Sequence, residues 1–365
     1  MLQLTFLGTS AGVPTKQRNV TALAIECLNP YLSSGTQQQK SRPWLLIDCG
    51  EGTQQQLLYT KLSLHQLAII CITHVHGDHC YGLPGLLASA AMSGRRHEIT
   101  IIAPRAIAQL LEAVKTTTEL YFPFTINFMA IEDVLLEQDG KVTIALDKQH
   151  QLDIAITPLS HRVPSHAFTI TQTISQRSLN TAKLIADGIP ASKLWGKLQQ
   201  GYDVDTEDGR HLRCADYVHD NQLLTKIVVA GDNDHPDLLG QSVVGADALV
   251  HEATYTSDVL RRIQTKNSDL NTNFDPMHSS AQQVGQFAQD NDIKTLILTH
   301  FSARYQSFDN LQSDTPNMGH IRKEAQCAYQ GNLWLAADFA QYMVNGAAEN
   351  DSRVQYLGSV RDNKE

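Results

Sequence analysis

Residues 67–79 read LAIICITHVHGDH: an apolar, largely β-branched run that ends in three histidines and one aspartate within six positions. The run has the composition of a buried strand, so its end delivers several ligating side chains together. Packing His74, His76, Asp78 and His79 side by side without a cation leaves buried polar groups short of partners. Imidazole nitrogen and carboxylate oxygen are donors that borderline divalent metals such as zinc accept. Gly77 permits a tight turn, so alternate side chains reach two neighbouring metal positions. A chain built round such a loop needs strand ends that converge on it.

One loop cannot complete two coordination spheres, and the rest of the chain offers more ligands at similar junctions. ITPLSHRVPSHAF presents His161 after an apolar alternation, KIVVAGDNDHP presents Asp232 after a strand and a glycine, and TLILTHFSARY presents His300. An aspartate at a strand terminus is by itself more often a turn or helix cap. Three candidates in one kind of setting argue for ligands. His166 and Asp234 compete less well because each lies further from its strand end, and His65, His97, His150, His211 and His219 read as structural or exposed.

Apolar runs recur at LQLTFLG, TALAIECL, PWLLIDCG, EITIIAP, KIVVAGD, ALVHEATY and TLILTH. Between them lie helix-like stretches such as LPGLLASAAMSG, RAIAQLLEAVKTTTELY, SAQQVGQFAQD and IRKEAQCAYQ. Mixed strands and helices with ligands at strand ends imply a layered α/β architecture with its site along one edge. Residues 31–43 read as a hairpin tip, residues 171–220 break the strand rhythm, and the polar tail after Val344 is expected to fray. The six cysteines form no CxxC pair, which suits a reducing cytoplasm, and the first residues lack a basic n-region, so export is not indicated. A net charge of -9 disfavours a generic nucleic-acid binder, although a local basic patch or bound cations can overrule it. No apolar run is long enough to span a bilayer.

The histidine loop and its partners resemble the metallo-β-lactamase superfamily. FLGTSAGVPTKQRNVTAL, LLIDCGEGTQQQLL, THVHGDHCYGLPGLL, ADALVHEATY, HSSAQQVGQFA and LTHFSARY resemble, in order, the motifs of the ribonuclease Z family, and LWLAADF resembles its last strand. The resemblance implies an α/β fold, a four-layered αββα sandwich. It implies a single domain over residues 1–345, an inserted flexible RNA-binding arm at 171–220 and a polar tail at 346–365. One metal would take His74, His76 and His161, the other Asp78, His79 and His300, with Asp232 bridging them. The expected cofactor is two Zn2+ per subunit, with Mn2+ or Co2+ as alternatives. The substrate would be precursor tRNA, cut to leave a 3′-hydroxyl on the tRNA and a 5′-phosphate on the trailer, by a cytoplasmic homodimer. Two departures stand out: GDN where the family has Thr after the aspartate, and GIPASKLWGKL without the Gly-Pro pair of the arm.

Hydrolysis of a phosphodiester then needs a base and an acid. Asp78 is the expected base. His251, with Glu252 fixing its tautomer and keeping it protonated, is either the acid or an orienter of a metal ligand. His278 heads a helix and is either a phosphate contact or a packing residue. Asp48 and Glu51 read as supporting groups, Arg18 and Asn19 as loop anchors. In the arm, Lys183, Lys193, Lys197, Arg210 and Arg213 accompany Trp195 and Tyr202 and suit a phosphate backbone, while DVDTEDG nearly cancels their charge. The alternative is a small-molecule phosphodiesterase or other hydrolase of the same fold, which would not need the arm.

Overall fold

A computed structural model describes residues 1–30, 42–147, 149–269, 275–346 and 353–361. The expected hairpin tip at 31–43 lies, up to residue 41, outside the described residues. The apolar runs are strands buried on both faces, so successive side chains enter different cores. In Trp44–Ile47, Leu45 and Ile47 join one apolar cluster while Trp44 and Leu46 join another. In Thr295–Thr299, Ile297 faces the first cluster and Leu296 and Leu298 face a third. Double burial of parallel strands is why these segments read as continuous apolar runs.

Among the described residues, an eight-stranded sheet runs Val354–Ser359, Ala340–Val344, Leu2–Gly8, Ala22–Cys27, Trp44–Ile47, Leu67–Cys71, Ile99–Ala103, Ile126–Ala130. A seven-stranded sheet runs Asn332–Leu335, Thr295–Thr299, Ala248–Glu252, Val218–Ala230, Ser165–Leu179, His150–Leu159, Lys141–Ala145. Ile25 and Ile69 of the first sheet meet Ile154, Phe168, Ile227 and Ile297 of the second in the central core. Helices Leu83–Met92 and Arg105–Thr118 cover the first sheet through Leu86, Ala90, Ile107 and Leu111. Helices Ala281–Asp290 and Met318–Ala328 cover the second through Val284, Phe287, Ile321 and Ala325. The result is the expected αββα sandwich. Four strands in each sheet are parallel, and the carboxyl ends of Trp44–Ile47, Leu67–Cys71, Val218–Ala230, Ala248–Glu252 and Thr295–Thr299, where open α/β sheets hold ligands, pass into the loops that carry the candidate site.

Two boundaries differ from expectation. Strands Ser165–Leu179 and Val218–Ala230 pair without a break from Ala167 opposite Ala230 to Leu179 opposite Val218, and as far as Ile174 the first also pairs with His150–Leu159. The polar alternation TQTISQRS therefore marks a half-exposed strand, not an end to strand structure. What projects is residues 180–217, with helices Thr181–Ala186, Lys193–Gln199 and Cys214–Tyr217. The arm expected to be flexible packs on an apolar cluster of its own, formed by Leu184, Ile189, Leu198, Val204, Leu212 and Tyr217. The tail from residue 346 contains Val354–Ser359, which pairs antiparallel with Ala340–Val344. Short edge strands flanked by charge are easily missed in a sequence. No helix among the described residues is long and apolar enough to cross a membrane.

Candidate metal centre and its cleft

The histidine loop is fixed from behind by Asp48, which follows strand Trp44–Ile47 at a φ of 59°. Its Oδ1 accepts from Thr73 N at 2.7 Å, and its Oδ2 accepts from Nδ1 of His79 at 2.7 Å. That bond fixes the ring: with Nδ1–H donated to Asp48, Nε2 of His79 is the nitrogen turned into the site. His161 is set in the same way, donating Nδ1–H to the Met277 carbonyl at 2.8 Å. Nδ1 of His300 lies 3.1 Å from Thr254 Oγ1. Glycine is needed at 231 because a Cβ there would lie 2.6 Å from Thr73 Cβ, so only glycine lets the strand end approach the loop. At Gly77 a Cβ would meet the Tyr81 ring at 2.2 Å, so any side chain there would turn that exposed ring aside.

The seven side chains expected as ligands converge. Nδ1 of His76 lies 3.0 Å from Nε2 of His74 and 3.3 Å from Nε2 of His161. Oδ2 of Asp78 lies 3.5 Å from Nε2 of His79 and 3.4 Å from Nε2 of His300. Asp232 stands between the two groups. Its Oδ2 is 3.7 Å from Nε2 of both His74 and His161, and its Oδ1 is 3.4 Å and 3.3 Å from Nε2 of His79 and His300.

Burial, with the His79 ring beside it, pushes His74 well below its ordinary pKa, and burial likewise lowers His76 and His161. Neutral imidazole is the form that ligates. Burial opposes charge on Asp232 and Asp78, but the surrounding histidines outweigh it and hold both carboxyls well below the usual range. His79 goes the other way: burial opposes its charge, yet Asp232, Asp48 and Asp78 hold its pKa well above the ordinary value. Nε2 of His79 and of His300 face each other at 3.3 Å while each ring's other nitrogen is occupied. Two imidazole nitrogens aimed at one another beside two carboxylates, which hold a proton there, make a donor set in which a divalent cation can replace that proton.

The acid expected at His251 needs correcting. His251 is fully buried: its Nδ1–H donates to the Glu252 carbonyl at 2.8 Å, and its Nε2 accepts from Asn233 Nδ2 at 3.2 Å. Burial lowers its pKa, so Glu252 does not keep it protonated. The two residues are neighbours on strand Ala248–Glu252, where successive side chains point to opposite faces. The Glu252 carboxylate instead meets Nδ1 of His278 at 3.0 Å. Burial opposes a charge on His278, but Glu252 overrides it and raises its pKa to about 9. His278 lines the cleft together with His76, Asp78, His161, Asp232 and His300. Sequence reasoning also missed Asn233, whose N–H donates to Glu252 Oε1 at 2.7 Å, and Thr254, which supports His300. The signal for Asn233 was the GDN departure itself.

Of the arm residues expected to bind RNA, Lys183 donates to the Asp216 carbonyl at 3.0 Å, Arg210 to Asp208 at 2.8 Å and Arg213 to Asp216 at 3.1 Å. Lys193 and Lys197, exposed on one short helix, have no such tie among the described residues. None of the five lines the cleft. Arg18 and Asn19 do anchor loops, through the Tyr305 carbonyl at 2.8 Å and the Glu51 carbonyl at 2.9 Å.

A family model described as a Beta-lactamase superfamily domain matches residues 43–185. A ribonuclease Z of Marinobacter nauticus is 44% identical over 343 residues, covering 93% of this chain and 96% of its own. The chain belongs to the ribonuclease Z family. One from Pseudomonas putida is 42% identical over 341 residues, covering 93% of this chain and 96% of its own. Among solved structures, human tRNase Z, short form, covers 93% of this chain and 98% of its own at 23% identity and a TM-score of 0.55. A metallo-β-lactamase fold protein from Bacillus subtilis covers 92% and 97% at 14% identity and a TM-score of 0.56. These two share the fold. Membership in the ribonuclease Z family makes the chain a metal-dependent nuclease that hydrolyses phosphodiester bonds.

Proposed function

We propose that this chain is a zinc-dependent endoribonuclease that removes the 3′ trailer from precursor tRNA, leaving a 3′-hydroxyl on the tRNA and a 5′-phosphate on the trailer. The observation that carries this reading is Asp232, its two oxygens turned to two ligand groups beside a paired Glu252 and His278 in one cleft. His74, His76 and His161 would hold one zinc ion, Asp78, His79 and His300 the second, with Asp232 shared. When bound, the two cations supply positive charge to the phosphoryl group and acidify water. Asp78 Oδ2, held by Gly12 N at 2.7 Å, is placed to take the proton from the attacking water. His278, with Nδ1 engaged by Glu252, has Nε2 free to give a proton to the departing 3′ oxygen. The arm, through Lys193 and Lys197 above all, would hold the tRNA backbone, and in a cytoplasmic homodimer would present it to the partner's cleft.

The test is to incubate the purified protein with a precursor tRNA and Zn2+, and to map both new ends. Cleavage at the trailer junction that a chelator stops and Zn2+ restores is the expected result. Hydrolysis of a small phosphodiester with no cutting of the precursor refutes the reading.

A further inference from the structure

The cleft of about 470 Å³ is lined mainly by histidine, aspartate and glycine, yet one lip carries a large aromatic ring, Tyr81, which is 66% exposed. The ring is set by the loop's own backbone. It follows the short helix Gly77–Cys80, whose turn is closed by its own N–H on the Gly77 carbonyl at 2.9 Å. One face rests against Gly77, where a Cβ would lie 2.2 to 2.6 Å from Cε2, Cδ2 and Cζ. Glycine at 77 is thus what seats the ring. Among the described residues no other ring stacks on Tyr81. An exposed aromatic that lies against Gly77, one helical turn from Asp78, is placed to receive a flat ligand at the reaction centre.

We propose that Tyr81 is the stacking platform for the base of the first trailer nucleotide, the one immediately 3′ of the scissile phosphate. This role rests on the tRNA-processing reading, which also assigns the side. The departing 3′ oxygen belongs at His278, so the nucleotide that precedes the cut takes the His278 lip. Tyr81 stands on the Asp78 lip, toward which the chain continues after the phosphate. Every base offers a π-face, so such a platform accepts any trailer sequence. It also explains an exposed aromatic that no packing requirement accounts for.

The test uses single-turnover cleavage by the zinc-loaded protein, as wild type, Tyr81→Phe and Tyr81→Ala. Each acts on a precursor tRNA with an intact or an abasic first trailer nucleotide. In the wild type, the abasic site should lower kcat/KM roughly five- to hundredfold, the range of one base–aromatic stack. Tyr81→Ala should lose about as much on the intact substrate and nothing further on the abasic one, while Tyr81→Phe stays near wild type. Equal abasic losses in wild type and Tyr81→Ala, or a wild type indifferent to the abasic site, would overturn the proposal. Indifference in the wild type decides the matter even if Tyr81→Ala disturbs the histidine loop and binds less zinc. An effect confined to an abasic nucleotide before the cut would move the platform to the other lip and overturn it as well. A wild type that does not cut precursor tRNA refutes the tRNA-processing reading, a result distinct from all of these.

Discussion

Asp48→Asn isolates what holds the histidine loop in place. The backbone does not confound it, because asparagine accepts the left-handed φ of 59° as readily as aspartate. The side chain does change. In the native protein Oδ1 faces Thr73 N–H at 2.7 Å and Oδ2 faces His79 Nδ1–H at 2.7 Å, so both oxygens accept. An amide has one oxygen and one NH2, and whichever way it turns, the NH2 meets an N–H. Either Thr73 or His79 loses its partner, and His79 in both cases loses a charged acceptor. Outer partners of metal-binding histidines are worth about 10- to 100-fold in metal affinity, or about 1.4 to 2.8 kcal/mol at 1.4 kcal/mol per decade. The assay is competition for Zn2+ between the apoprotein and a chromophoric chelator, followed by precursor cleavage at saturating Zn2+. Affinity should fall within that range, and most activity should return when zinc saturates. Zinc affinity within twofold of wild type would show that Asp48 does not orient the ligands.

Further outcomes follow from the same geometry. His278→Ala should keep its zinc, measured by elemental analysis, and lower kcat by about a hundred- to ten-thousandfold. His251→Ala should instead lower the thermal midpoint, because it strands the Glu252 carbonyl and Asn233 Nδ2 in a buried site, at about 1–3 kcal/mol. A larger kcat loss in His251→Ala than in His278→Ala would reverse the assignment. Since Glu252 raises the His278 pKa to about 9, the acid is charged below that pH and activity should fall as pH rises through it. In Glu252→Gln the falling limb of the kcat profile should move to lower pH, and an unmoved limb would mean another group is the acid. Replacing residues 180–217 with a short Gly/Ser turn should leave zinc content and small-phosphodiester hydrolysis intact, since the arm has its own core. Binding of precursor tRNA should weaken, and unchanged affinity in a salt titration would place recognition elsewhere.

The seven converging side chains were legible because each follows an apolar strand end, where a histidine or aspartate has no packing role. His74, His76, Asp78 and His79 are local, and His161, Asp232 and His300 repeat their setting. The layered fold was legible for the same reason. The partner of Glu252 was not, because His278 lies 26 residues away and comes from another loop. Adjacency in HEATY favoured His251, although strand alternation turns the two side chains apart. The start of the arm was hidden by polar residues on a strand that is half exposed, as Thr173 and Ser175 show. The basic residues of the arm could be counted from the sequence, but not that Asp208, Asp216 and the Asp216 carbonyl already engage three of them.

The two strands that bear the arm have a further consequence at their opposite ends. Ser165–Leu179 begins four residues after His161, and Val218–Ala230 ends two residues before Asp232. The ribbon that carries the arm outward therefore ends, at its inner end, within four residues of His161 and two of Asp232, both of which turn into the candidate metal centre. If the arm takes the RNA as proposed, a load on it is carried by hydrogen-bonded strands to within a few residues of those two side chains. Thermodynamic reciprocity then ties the two events: by whatever factor zinc changes the affinity for RNA, RNA changes the affinity for zinc. Zinc affinity measured with and without bound precursor tRNA then reads the size of that coupling, and equal values mean that the ribbon carries none.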